Sequence, residues 1–211
     1  GVIDEDIADN DYEDNDWTPI ALPHTWSTYE TTGELHPFIR DASEKDDLYW
    51  WYGWGWYRKE LSFDKKYKNK KIFVELDGVQ KYTRLFVNGE LVGDHKGGYN
   101  SFYFDITDYI NFNEKNMLAV AVSNRRDDRQ GGIPPMTAGN FNVYGGIYRE
   151  VRIVIKDKLY IPFQGDPDHE GGTFITTPEV SADKARVKVK TYLKNEYPLP
   201  KNISLKTTIL N

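Results

Sequence analysis

Apolar and polar residues alternate with a period of two along much of the chain, and helical periodicity is almost absent. The clearest runs are Ile72, Val74 and Leu76 in KIFVELDG, Phe102, Phe104 and Ile106 in SFYFDIT, Leu118, Val120 and Val122 in MLAVAVSN, and Val151, Ile153 and Ile155 in REVRIVI. Successive strand side chains point to opposite faces, so each run predicts a strand with one buried face. In RLFVNGELVG the pair Asn88-Gly89 separates two apolar runs. Both residues tolerate the positive φ that a two-residue turn requires, which predicts a hairpin there. Strands at this spacing without helices between them predict an all-β fold of antiparallel sheets stacked as a sandwich.

Past Ile155 the alternation gives way to KDKLYIPFQGDPDHEGGTFITTP. Its prolines, glycines and scattered charge read as a connector over 157–178, with room for one short strand. Alternation resumes in ARVKVKTYLKN (Val187, Val189, Leu193) and in ISLKTTIL (Ile203, Leu205, Ile209), on either side of the turn-like EYPLPKN. Two strands are marginal alone in water. Residues 179–211 are therefore expected to open a second β-domain whose remainder lies beyond Asn211, after a first domain over 16–156.

Charge narrows the partners. The 211 residues carry 27 basic and 33 acidic side chains, a formal net charge of −6, with no basic patch to neutralise a phosphate backbone, so nucleic acid and anionic membrane surfaces are not expected partners. Much of the acidity lies in DEDIADNDYEDND, Asp4 to Asp16, which reads as a solvated, mobile leader over 1–15 and lacks EF-hand spacing. Absence of cysteine excludes disulfides, thiolate metal sites and a cysteine nucleophile. No apolar run approaches the ~20 residues of a membrane helix. The first residue is Gly1 rather than methionine, which reads as a trimmed start and leaves room for a signal peptide removed upstream. Periplasmic or extracellular residence is the expectation drawn from the tyrosine-rich, aromatic composition.

Catalytic chemistry is not marked. No serine sits in a G-x-S-x-G elbow, and His24, His36, His95 and His169 show no paired spacing for zinc, so solvated or hydrogen-bonded roles are expected for them. GGYNSF and YGGIYR lack the lysine, the serine and the helix of a phosphate cradle. Carboxylates are plentiful, yet nothing singles out an acid and base pair for glycoside chemistry. No catalytic residue, metal or cofactor is therefore assigned. The run DDLYWWYGWGWYRK, Asp46 to Lys59, holds four of the six tryptophans. It reads either as packed core or as a platform on which sugar C–H faces stack. From Gly55 onward its residues are expected to form the opening strand, with Tyr49 to Trp54 as an unpaired lead-in.

Five segments then carry a resemblance: DWTPIALPHTW, GWGWYRKEL, LFVNGELVGDHKGGYNSFYFDITDYI, NMLAVAVSN and FNVYGGIYREVRIVI. In this order, over about Asp16 to Ile155, they resemble the N-terminal domain of family two glycoside hydrolases, the β-galactosidase and β-glucuronidase group. The resemblance implies a galactose-binding-like jelly roll followed by the first strands of an immunoglobulin-like sandwich. It also implies a catalytic TIM barrel outside this chain that carries both catalytic glutamates, so the chain itself is expected to be inactive. The partners implied are that barrel and, through it, a β-linked carbohydrate.

In the family an acidic residue shortly before YGGIYR reaches toward the barrel's sugar or a bound cation. The matching position is Asn140, which keeps hydrogen bonding to a hydroxyl but loses the charge that would hold a cation, so no metal is expected there. Tyr52 and Trp54 fall in a segment that approaches the active-site mouth in the family, and with Asn140 they are the candidate substrate contacts. Ordinary packing remains the rival reading for each ring. Arg149, on the face of Val151 and Ile153, is expected to meet a carboxylate or carbonyls as an anchor. Two other readings stay open: an autonomous carbohydrate-binding module, and a scaffold without sugar contact.

Overall fold

The computed structural model describes residues 3–26, 53–124, 145–164 and 171–210, which divide into two compact units, Gly1–Ile155 and Lys156–Asn211. The first unit contains β1 (Trp54–Ser62), β2 (Lys71–Leu76), β3 (Val79–Gln80), β4 (Tyr82–Val87), β5 (Glu90–Lys96), β6 (Phe102–Asp105), β7 (Lys115–Ser123), β8 (Gly146–Ile147) and β9 (Val151–Lys156). One sheet has the order β1-β7-β4-β5, the other β6-β2-β9, and β3 pairs with β8. Ile72, Val74 and Leu76 of β2, Phe102 and Phe104 of β6, and Leu118, Val120 and Val122 of β7 lie in a single buried cluster, with Val151, Ile153 and Ile155 packed against it. The all-β, antiparallel sandwich is as expected.

The Asn88-Gly89 hairpin is present: Val87 pairs with Glu90, and φ is +53° at Asn88 and +83° at Gly89. Asn88 does more than turn the chain. Its Nδ2 donates to the Tyr109 carbonyl and to Asn116 Oδ1, both at 2.9 Å, and its Oδ1 accepts from the Met117 N–H at 3.0 Å. Asn116, 2% exposed, in turn bonds both backbone groups of Asn111. Asn88→Ala removes three side-chain hydrogen bonds and puts alanine in the left-handed region, which asparagine tolerates better, so we expect a loss of about 2 kcal/mol in urea unfolding. A loss under about 0.5 kcal/mol, the range of neutral surface changes, would show that the network contributes nothing.

The acidic leader is docked on the first unit, with Ala8 buried and most of its acids exposed. Glu5–Ala8 forms a 3-10 turn whose N-cap, Asp4, accepts from the Asp6 N–H. Ala8 is fully buried on the outer face of the larger sheet, against Phe86, Ala119 and Ala121, with Ile3, Trp54 and Trp56 beside it. The small side chains of β7 leave a shallow trough between the aromatic rings of β1 and β4, and the leader fills it. Arg58, its side chain 2% exposed, clamps the strap: Nε pairs with Asp14 at 2.9 Å, and the guanidinium donates to the carbonyls of Ile7, Asp9 and Tyr12. Arg84 pairs with Glu5. Composition misleads here because the few apolar residues, Ile3, Ile7 and Ala8, are outnumbered by acids that face water.

In the second unit, β10 (Leu159–Tyr160) pairs with β13 (Lys194–Asn195), and β11 (Thr173–Val180) pairs with β12 (Ala185–Thr191). The expected strand at Ile203, Leu205 and Ile209 is not formed: 201–210 has no strand, and these side chains are 49%, 51% and 71% exposed. The partner of Val187 and Val189 is instead a segment expected to be connector. A local turn decides this, since the Ser181 N–H donates to the Lys184 carbonyl and its hydroxyl oxygen accepts from the amides of Asp183 and Lys184, so the hairpin closes at little entropic cost. Pro178 hid the strand in the sequence. It falls at the register irregularity between Thr176 and Glu179, where a missing N–H costs no ladder bond.

Candidate functional site

The described residues that flank 27–52 and 125–144, the stretches holding Tyr52 and Asn140, lie in one cluster. The four joints are tied together. Gly53 N–H donates to Asn124 Oδ1 at 3.0 Å and Asn124 N–H to the Gly53 carbonyl at 3.3 Å. His24 N–H reaches the Ile147 carbonyl at 2.7 Å, and Trp26 N–H the Gly145 carbonyl at 3.3 Å. Thus the segment LPHTW lies alongside Gly145–Ile147, two stretches far apart in the chain.

Trp26, 3% exposed, plugs the cluster. A β-carbon at Gly55 would lie 2.5 Å from its indole, and one at Gly145 would overlap the same ring system. Tyr57 stacks on Trp26 with centroids 6.4 Å apart. Its phenol oxygen accepts from the Ile147 N–H at 3.3 Å and lies 2.9 Å from His24 Nδ1. The hydroxyl and Nδ1 share one hydrogen bond, whose direction follows the His24 tautomer. Burial pushes the Tyr57 phenol far above the usual tyrosine range, and the Ile147 N–H offsets this only in part. The phenol therefore stays protonated, suited to holding geometry and unsuited to proton abstraction. Buried Gln80, Lys81, Ser123 and Asn124 line the same end of the unit, where Lys81 N–H bonds the Ser123 carbonyl at 3.0 Å.

Trp54 is the one candidate contact inside the described residues; Tyr52 and Asn140 lie outside them. The expectation of an unpaired lead-in before Gly55 fails at Trp54, which is the first residue of β1 and pairs with Ser123. Strand alternation sends Trp54 and Trp56 to the outer face and Gly55 and Tyr57 to the inner one. Trp54 is half-buried and meets Tyr82 edge-on at 5.6 Å. Lys59, which breaks the apolar inner face, is exposed near the end of β1, an edge strand of its sheet, where charge discourages further pairing. Arg149 meets the carbonyls of Asp77 and Tyr99 as expected, but from an exposed bend rather than a strand face.

Sequence reasoning missed His24, Trp26 and Tyr57 as a unit. The signal was the glycines: Gly55 and Gly145 each lie where a large ring must approach the backbone, and Trp26 is that ring. Among the described residues no group of three or more His, Asp or Glu side chains converges as a metal site would.

His95 is neither solvated nor hydrogen-bonded at its buried Nε2; it stacks flat on Phe102 at 3.8 Å. Burial lowers its pKa, with Asp94 opposing the shift. The unfolded chain therefore takes up a proton near the ordinary value of 6.5, while the folded one resists until lower pH. Stability from this group is complete above that value and falls as the pH drops through it. We expect chemical-denaturation stability to slope downward below pH 6.5 and the slope to flatten in His95→Gln; an unchanged slope would assign it to other groups.

Residues 15–157 match the family described as "Glycosyl hydrolases family 2, sugar binding domain". A β-glucuronidase of Formosa agariphila is 32% identical over 207 residues, covering 96% of this chain and 21% of that protein. A β-galactosidase of Thermoanaerobacter pseudethanolicus is 35% identical over 164 residues, covering 75% of this chain and 20% of the other. Among solved structures, Bacteroides uniformis β-glucuronidase superposes with a TM-score of 0.72 at 33% identity, over 90% of this chain and 20% of that one. The chain thus spans about a fifth of the length of these relatives.

Proposed function

The chain belongs to the sugar-binding domain family of glycosyl hydrolase family 2, and from that premise we propose that it is a non-catalytic part of a longer, exported β-glycosidase that hydrolyses terminal β-glycosides. The observation that carries this reading is the stitched cluster of His24, Trp26, Gly53, Asn124 and Gly145. It fixes both ends of each of the two long segments and so presents them from a rigid base, as a loop lent to another domain's sugar pocket needs. Tyr52 and Asn140 are the contacts those segments would offer, the first a ring for a sugar face and the second a hydroxyl partner. Trp54 would contribute from the adjoining strand end. The acid and nucleophile carboxylates of a retaining glycosidase belong on this reading to a catalytic barrel in the same polypeptide. The names of the relatives support a β-linked glycoside as the substrate class.

The test is an assay of the 211-residue chain on aryl β-galactosides and β-glucuronides. No turnover above blank is expected. Turnover that a substitution within residues 1–211 abolishes would place catalysis inside the chain and overturn the reading.

A further inference from the structure

The loop 97–101 and the bend 148–150 meet over Gly78. The Tyr148 hydroxyl donates to the Gly98 carbonyl. An added β-carbon at Gly78 would meet Arg149 Cδ at 2.8 Å and Tyr148 Cζ at 2.9 Å, so glycine is what lets both side chains lie down on the backbone. The Arg149 guanidinium sits 5.3 Å from the centroid of the Tyr148 ring, and its Nη1 donates to the carbonyls of Asp77 at 3.4 Å and Tyr99 at 3.2 Å. Its Nε and Nη2 donors make no hydrogen bond among the described residues, and no carboxylate there pairs with it. The nearby acids are engaged by Arg152: Asp77 at 2.8 Å, Glu150 at 2.5 Å and Glu75 at 3.7 Å. Tyr99, whose carbonyl takes one of these bonds, is 63% exposed.

A guanidinium seated on an aromatic ring with donors to spare can receive an oxyanion or the hydroxyls of a polyol. Local charge decides between them. Two cations, Arg149 and Arg152, stand against three carboxylates, Glu75, Asp77 and Glu150, which leaves the patch one unit negative and opposes an anion. A neutral hexose meets both features: its C–H face covers an exposed tyrosine ring, and vicinal hydroxyl oxygens accept from the fork of the guanidinium. We propose that Tyr99, Tyr148 and Arg149 form a contact site for a neutral hexose residue of a glycan, distinct from Tyr52, Trp54 and Asn140. It is an exposed site and binds weakly, in the millimolar range. The site deepens the reading of the chain as part of a glycosidase without depending on where catalysis lies, so the aryl-glycoside assay and the experiment below fail independently.

The experiment is an amide and aromatic NMR titration of the 211-residue chain with methyl β-galactoside, and with methyl β-glucuronide as the charged counterpart. Saturable shifts centred on Tyr99, Tyr148 and Arg149 are expected for the neutral glycoside, and weaker ones for the charged one. Tyr99→Ala should weaken binding about tenfold with an unchanged melting temperature. Arg149→Gln should do the same, and if it also unfolds the bend, Tyr99→Ala still decides. Absence of shifts at Tyr99, retention of affinity in Tyr99→Ala, or tighter binding of the charged glycoside would each overturn the proposal.

Discussion

Gly145→Ala destabilises the first unit by about 3 kcal/mol or more and loosens both long segments at once. The added methyl would overlap the indole of Trp26, a residue 3% exposed whose ring also lies against Gly55. Overpacking in a tight core typically costs about 1–3 kcal/mol, and here the ring has no side to retreat to, because Tyr57 stacks against it. The measurement is urea unfolding, with hydrogen exchange at the amides of Trp26 and Asn124 as a local readout. A double-mutant cycle sharpens it: with Trp26→Leu already in place, Gly145→Ala should cost much less than it does alone. If the two losses simply add, the glycine is needed for some other reason. Should Gly145→Ala prove neutral, the plug is looser than the geometry implies, and the rigid base proposed for the two segments goes with it.

Arg58→Ala should cost about 3 kcal/mol and release the N-terminal strap. Its guanidinium holds one carboxylate, Asp14, and three backbone carbonyls from residues 7–12, while its own side chain is almost wholly out of water. Removing it strands those carbonyls over a half-covered apolar trough, and the loss of a charged donor at such a site is worth several hydrogen bonds. Limited proteolysis should then cleave within 3–16 in the variant and spare the parent. Since three of the four acceptors are uncharged, added salt should weaken the clamp only slightly. Arg58→Lys, with a compact head that cannot span those acceptors, should fall between the two. A cost within about 0.5 kcal/mol would return the strap to the status of a solvated tail.

These two sites also show where sequence reading reached and where it stopped. The core strands were legible because alternation at Ile72 to Leu76 or Leu118 to Val122 states directly which side chains turn inward, and at Asn88-Gly89 the turn chemistry leaves one solution. The strap was illegible because its acids dominate the composition, and the trough that receives Ile3 and Ala8 exists only once Ala119 and Ala121 of β7 lie between the aromatic rings of β1 and β4. For Thr173–Val180, a proline and a glycine-rich approach read as connector with room for one short strand, and the turn at Ser181 to Lys184 makes it an eight-residue strand paired with β12.

By itself, then, the sequence determined the all-β class, the turn of the central hairpin and the family resemblance. Each of these rests on local periodicity or on residues adjacent in the chain. The tertiary structure alone decided that LPHTW lies along Gly145–Ile147 with Trp26 filling the space left by two glycines, that Trp54 faces outward while Tyr57 faces inward to hold His24, and that Arg149 ends with unspent donors near an exposed tyrosine. Those are contacts between residues separated by tens of positions, set by which faces of a twisted sandwich meet, and no local pattern encodes them.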